Sequence, residues 1–156
     1  PARIHVVAGG GSSAGLLECL AAAGHRLTVG PVNAGDSDWH MARTLGVETV
    51  TVPPFSAVDR EAVAKAAAAM GSSDAVLVGP VPFGRGNVAV LEAVLRAARA
   101  GRQVALVNGG PEEVASRDFA EGRASALTAE LLAAGAATLS GESEALAWAA
   151  RMGEKR

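Results

Sequence analysis

The chain has 156 residues and a mass of 15.5 kDa, enough for one domain that buries about two-thirds of the surface its unfolded form exposes. Hydrophobic residues make up 49% and charged residues 19%, and a net charge of -2 with a pI near 5.9 argues against a nucleic-acid surface, which would need a basic stripe. A single cysteine rules out an internal disulfide, and with neither a secretory leader nor an apolar run of about 18 residues the sequence reads as cytosolic.

An apolar run from Ile4 to Ala8 predicts the first strand. It stops at Gly9, Gly10 and Gly11, then Ser12 and Ser13, where a helical pattern begins (Leu16, Leu17, Leu20, Ala23) with Cys19 inside it as a core thiol. Glycines there let the backbone turn sharply and expose N–H groups beside a helix N-terminus, which together make an anion site. Leu27 to Gly30 predicts a second strand, and Pro31 to Asp38 a loop leading to a helix with Asp36 or Ser37 as N-cap and Asp38 in its first turn. Val47 to Val52 is the third strand; the loop Pro53 to Val58 carries Phe55, and Asp59 caps an alanine-rich helix over Ala62 to Ala69. Ala75 to Gly79 is the fourth strand. The loop Pro80 to Asn87 that follows is stiffened by prolines, and Arg85 offers a fork for carboxylate or phosphate while Asn87 caps the next helix. That helix places Val88, Leu91, Leu95 and Ala98 on one face; Val104 to Val107 is a fifth strand, Ala124, Leu127, Leu131 and Ala134 mark another helix, and Ala137 to Leu139 is a weaker sixth strand.

Short apolar strands alternating with helices predict an α/β fold: a Rossmann-like, doubly wound, mainly parallel sheet of five to six strands with helices on both faces, in one domain over 1–156. Gly24, Gly46, Gly71, Gly101 and Gly135 are the expected helix stops. The aromatics are Trp39, Phe55, Phe83, Phe119 and Trp148, so the core must be built of Ala, Val and Leu. Connections after helices are short, whereas those after strands are long and hold the chemically active residues. In an open parallel sheet the latter gather at the carboxyl edge, where ligands bind.

Gly9-x-Gly11-x-x-Ala14 fits the dinucleotide fingerprint in its strand–turn–helix setting, but the second predicted strand ends without an acid to grip a ribose. No lysine follows for a phosphate-loop ATPase. Gly11-Ser12-Ser13-Ala14-Gly15 also spells a nucleophile elbow, yet His25 lies at the opposite sheet edge and His40 only four residues past Asp36. Asp36, Asp38 and His40 read as helix capping rather than as a metal cluster, so no metal site is expected. Arg117 and Arg123, around Phe119, read as solvated surface.

The segments HVVAGGGSSAGLLECLAAAGH, TVGPVNAGDSDWHMARTLGVETVTVPPFS and DAVLVGPVPFGRGN together resemble a C-terminal extension carried by some ABC-transporter ATPases of the cobalamin and iron-chelate uptake class. The resemblance covers about Arg3 to Asn108, with most of its weight in the N-x-GDSD and PFGxGN loops. It implies a cytosolic accessory domain of a metal-chelate or corrinoid importer. It implies no ATPase chemistry, because the nucleotide-binding core would lie upstream, and an opening at Pro1 fits a domain cut from a longer chain.

The expectation is a non-catalytic domain binding a small anionic ligand, a nucleotide or a corrinoid, beside an ABC ATPase core. Gly9, Gly10, Gly11, Ser12 and Ser13 would hold the anion; Asn33, Asp36 and Asp38 would supply polar selectivity; Trp39, Phe55 and Phe83 would wall the site; Arg85 and Asn87 would close its far side. Two readings from other classes stay open: a nucleotide- or dinucleotide-binding enzyme, either hydrolase-like with an aspartate base or NAD(P)-dependent, and a structural homodimerisation domain built on the helix Ala62 to Ala69.

Overall fold

Six runs of aliphatic residues lie side by side in the computed structural model, which describes residues 1–8, 13–80, 82–83, 85–113 and 123–154; for 82–83, 85–87 and 112–113 it describes the backbone alone. In chain order the elements are β1 (Arg3–Val7), α1 (Ala14–Ala22), β2 (Arg26–Asn33), α2 (Ser37–Thr44), β3 (Glu48–Val52), α3 (Arg60–Gly71) and β4 (Ala75–Val78). There follow β5 (Pro82–Phe83), α4 (Arg85–Arg99), β6 (Gln103–Val107), β7 (Glu112–Glu113), α5 (Arg123–Ala133), β8 (Ala137–Leu139) and α6 (Glu142–Glu154). The main sheet has the order β3-β2-β1-β4-β6-β8, and every pairing in it is parallel. Counted over that sheet alone the order is 3-2-1-4-5-6, the Rossmann order, with its switch point between β1 and β4.

Alternation along the strands explains why both faces are covered. Ile4, Val6, Ala75, Leu77, Ala105 and Val107 point to one side, where Leu16, Leu17 and Leu20 of α1, Ala42 of α2 and Trp148 of α6 complete the core. Val7, Val76, Val78, Val104 and Leu106 point to the other, against Ala66 and Met70 of α3, Leu91 and Val94 of α4 and Leu127 and Leu131 of α5. Full burial of a leucine such as Leu17 or Leu91 is worth about 1.5–3 kcal/mol. No helix among the described residues is long and apolar enough to cross a membrane.

The second strand runs further than its sequence suggests. It continues through Pro31 to Asn33, because the pairing of β2 with β3 shifts register between Val29 and Val32 and the ladder does not need the missing proline N–H there. At the same kink Gly30 has φ +141, and a Cβ on it would stand 2.5 Å from the Val50 carbonyl oxygen. The loop that follows is therefore short, and Asp36 comes three residues after the strand rather than six. A further feature escaped the hydrophobic pattern altogether: β5 and β7 pair in parallel, Pro82 with Glu112 and Phe83 with Glu113, tying together the connections that leave β4 and β6.

Cys19 is corrected as well. It is only partly buried, and its thiol donates to Glu142 Oε2 at 3.3 Å, so the carboxylate raises its pKa above the ordinary thiol value. Helix ends follow expectation at Gly24, Gly46, Gly101 and Gly135, all with positive φ, whereas Gly71 is the last residue of α3 itself. Asp59 caps α3 by accepting from the Ala62 N–H at 2.8 Å.

Candidate functional site

At the switch point the first and fourth strands end side by side, with the Gly79 N–H donating to the Val7 carbonyl at 3.0 Å. The chain leaving β1 returns at Ser13, immediately before α1, and Ser13 is 1% exposed. Its backbone N–H donates to Asp38 Oδ1 at 3.1 Å. Asp38, in the first turn of α2, is itself 0% exposed. Two residues assigned to the site from separate segments, 25 positions apart, thus meet in a buried hydrogen bond.

The Ser13 hydroxyl is the unusual atom. It is buried with no hydrogen-bond partner and lies over Gly79, where a Cβ would stand only 2.5 Å from it. An orphaned buried hydroxyl costs about 1–3 kcal/mol, so such groups are ordinarily paired. Ser13 forms no side-chain cap on α1, although it occupies the N-cap position. Gly79 is required there for close approach rather than for an unusual backbone angle.

The other described site residues are spread along the same edge. Gly9, Gly10, Gly11 and Ser12 lie outside the described residues, as do Arg117 and Phe119. Phe83 stands in β5, opposite Glu113, and Arg85 and Asn87 stand in the first turn of α4, which begins at Arg85; their side chains lie outside the description. Asn87 is therefore inside the helix rather than at its cap. Asp36 holds the N-cap position of α2, half-buried, but makes no side-chain cap bond. Asn33 donates through Nδ2 to the Pro53 and Ser56 carbonyls, at 2.9 and 3.1 Å, and so clamps the loop after β3.

That clamped loop carries Phe55 with φ +59 and a fully exposed side chain. A bulky residue in the left-handed region costs roughly 1–2 kcal/mol, and an exposed ring recovers none of it by burial. Trp39 is different: it packs against the core under α2, with the Arg43 guanidinium 5.0 Å from its ring centroid and the His40 ring edge-on at 4.9 Å. Arg123 pairs with Glu92 at 3.6 Å on the surface.

A second buried polar group lies deeper in the sheet. His5, in the middle of β1, donates from Nε2 to the Gly30 carbonyl at 2.9 Å, so its neutral ring accepts at Nδ1 from the Thr28 hydroxyl at 2.7 Å. Burial lowers its pKa to about 4, against a smaller raising effect of the Gly30 hydrogen bond. A neutral histidine with both nitrogens committed ties β1 to β2; it is structural. At the opposite, amino edge a groove lined by Pro1, Gly24, His25, Leu146 and Gly153 is mostly apolar, and there His25 Nδ1 accepts from the Ala2 N–H at 3.1 Å. Among the described residues no cluster of three or more His, Cys, Asp or Glu side chains could hold a metal ion.

Over 78 residues, half of this chain, the sequence is 36% identical to the cobalamin import ATP-binding protein BtuD of two strains of Halobacterium salinarum, R1 and NRC-1. The match spans 20% of the length of those relatives. No solved structure matches. The model of the MJ0874 family matches residues 27–146, a stretch that begins in β2 and ends in α6. It takes in β2, β3, β4, β6 and β8, every strand of the main sheet except β1, and on that match the chain belongs to the MJ0874 family.

Proposed function

We propose that this chain is a non-catalytic ligand-binding domain that works beside the ATP-binding protein of an ABC importer of the cobalamin or iron-chelate class. It takes a small anionic ligand, a nucleotide or a corrinoid, at the carboxyl edge of its sheet. The observation that carries the reading is the buried, unpartnered Ser13 hydroxyl at the switch point, over a glycine that leaves it room. Similarity to the cobalamin import ATP-binding proteins supports the importer. In this reading Gly9, Gly10, Gly11 and Ser12 supply backbone and hydroxyl donors, and Asp36 and Asp38 select polar groups of the ligand. Asn33 fixes the loop that presents Phe55, Phe83 and Trp39 bound the site, and Arg85 and Asn87 close its far side. The exposed, clamped Phe55 supports a contact beyond the domain itself, where the ATPase core would lie.

Thermal unfolding in the presence of nucleotides, corrinoids and iron chelates tests this. A ligand at 100 times its dissociation constant adds about 2.7 kcal/mol, a rise of roughly 5–10 °C for a chain of this size. A corrinoid or chelate among the stabilising ligands supports the transport role. No stabilisation by any member of the three classes sinks it.

A further inference from the structure

The first turn of α1 is the obvious place for an anion, and it already holds one of the protein's own. Asp38 Oδ1 accepts the Ser13 N–H at 3.1 Å with the carboxylate fully buried, which is where helix geometry would seat a phosphate oxygen. A second acid flanks the same turn: Glu142, at the start of α6, has Oε1 2.5 Å from where a Cβ on Gly15 would be. A phosphate placed here would share an N–H with the buried Asp38 carboxylate and face the exposed Glu142 carboxylate, and like charges repel, most strongly beside the buried one. What remains unmatched is the Ser13 hydroxyl, 1% exposed and without a partner over Gly79. A hydroxyl both donates and accepts, so an uncharged ligand hydroxyl can complement it without bringing a second negative charge towards Asp38.

We propose, resting on the ligand-binding reading above, that Asp38 closes the α1 terminus to phosphate and that Ser13, over Gly79, receives an uncharged sugar-type hydroxyl of the ligand. The ligand is thus a hydroxyl-bearing anion, held with its charge away from the glycine-rich turn.

Amide spectra of the 15N-labelled chain, titrated with inorganic phosphate and with D-ribose, test this. Phosphate should leave the Ser13 and Ala14 amides of the native chain in place. In Asp38→Asn, which keeps the acceptor oxygen and loses the charge, phosphate should move Ser13 and Ala14, with at least tenfold higher affinity there than in the native chain. D-ribose should move Ser13 and Gly79 in the native chain and not in Ser13→Ala. Phosphate bound at Ser13 with equal affinity in native and Asp38→Asn chains overturns the inference and leaves an anionic ligand at this edge standing. Phosphate that moves no amide in either chain overturns both. Ribose that leaves Ser13 and Gly79 unmoved removes the hydroxyl assignment. Should Asp38→Asn not fold, the two native titrations decide by themselves.

Discussion

Acidification should weaken this fold through one residue, His5. In the folded chain burial lowers its pKa to about 4, from 6.5 for a free imidazole. The folded state therefore favours the neutral ring, so the stabilisation is complete above the unfolded pKa of 6.5 and is lost as pH falls towards 4. At about 1.4 kcal/mol per unit, the difference between those values removes about 3 kcal/mol between pH 7 and pH 4. Protonation places a second N–H on Nδ1, opposite Thr28, whose hydroxyl can turn to accept it, so desolvation of the charge supplies most of the loss. His25 titrates in the same direction because burial lowers its pKa too, and the carboxylates add their own pH dependence. Urea unfolding from pH 7 to pH 4 of the native chain and of His5→Gln separates these, since everything but His5 is common to both. The native chain should lose about 3 kcal/mol more than the variant over that range. Equal losses would falsify the assignment of His5 as a buried neutral strut.

Gly30→Ala should destabilise by about 3 kcal/mol or more, because φ +141 suits only glycine and the new methyl meets the Val50 carbonyl at 2.5 Å; a midpoint in urea close to native contradicts this. Gly79→Ala should cost about 1–2 kcal/mol by pressing on the Ser13 hydroxyl, and Ser13→Ala in the same chain should recover most of it. Strict additivity of the two changes would show that the two residues do not touch. Phe55→Gly should stabilise by about 1 kcal/mol and raise Tm by roughly 2–4 °C, since it relieves φ +59 and removes no buried surface. A fall in Tm would mean that the ring packs in solution.

The six main strands are legible because each is a short run rich in aliphatic or β-branched residues bounded by glycine, proline or charge, and even the three-residue β8 falls where Ala137 to Leu139 predicts it. What the sequence hides is long-range. Pro31 reads as a strand stop, and only the register shift against β3 allows β2 to continue past it. β5 and β7 are two residues each, too short for any periodicity. Glu142 meets Cys19 across 123 positions, and Asp38 meets Ser13 across 25, so neither the partly buried thiol nor the occupied α1 terminus leaves a local signature. Asp36 and Asp38 both look like helix caps, since capping preferences are local; the fold puts Asp36 at the cap without a bond and sends Asp38 to another helix. Loop placement at the carboxyl edge was legible from the strand–helix alternation alone.

The central claim is that this member of the MJ0874 family receives a small ligand at the switch point, and amide mapping of the bound ligand tests it most directly. The chain is titrated with whichever nucleotide, corrinoid or iron chelate raises its Tm most. Ala8, Ser13, Gly79 and Asn108, at the carboxyl ends of β1, β4 and β6, should move, while Gly46, Ser73 and Gly101 at the other edge stay in place. Perturbation confined to the amino-edge groove around Gly24, His25 and Leu146, with Ser13 and Gly79 unmoved, contradicts the account.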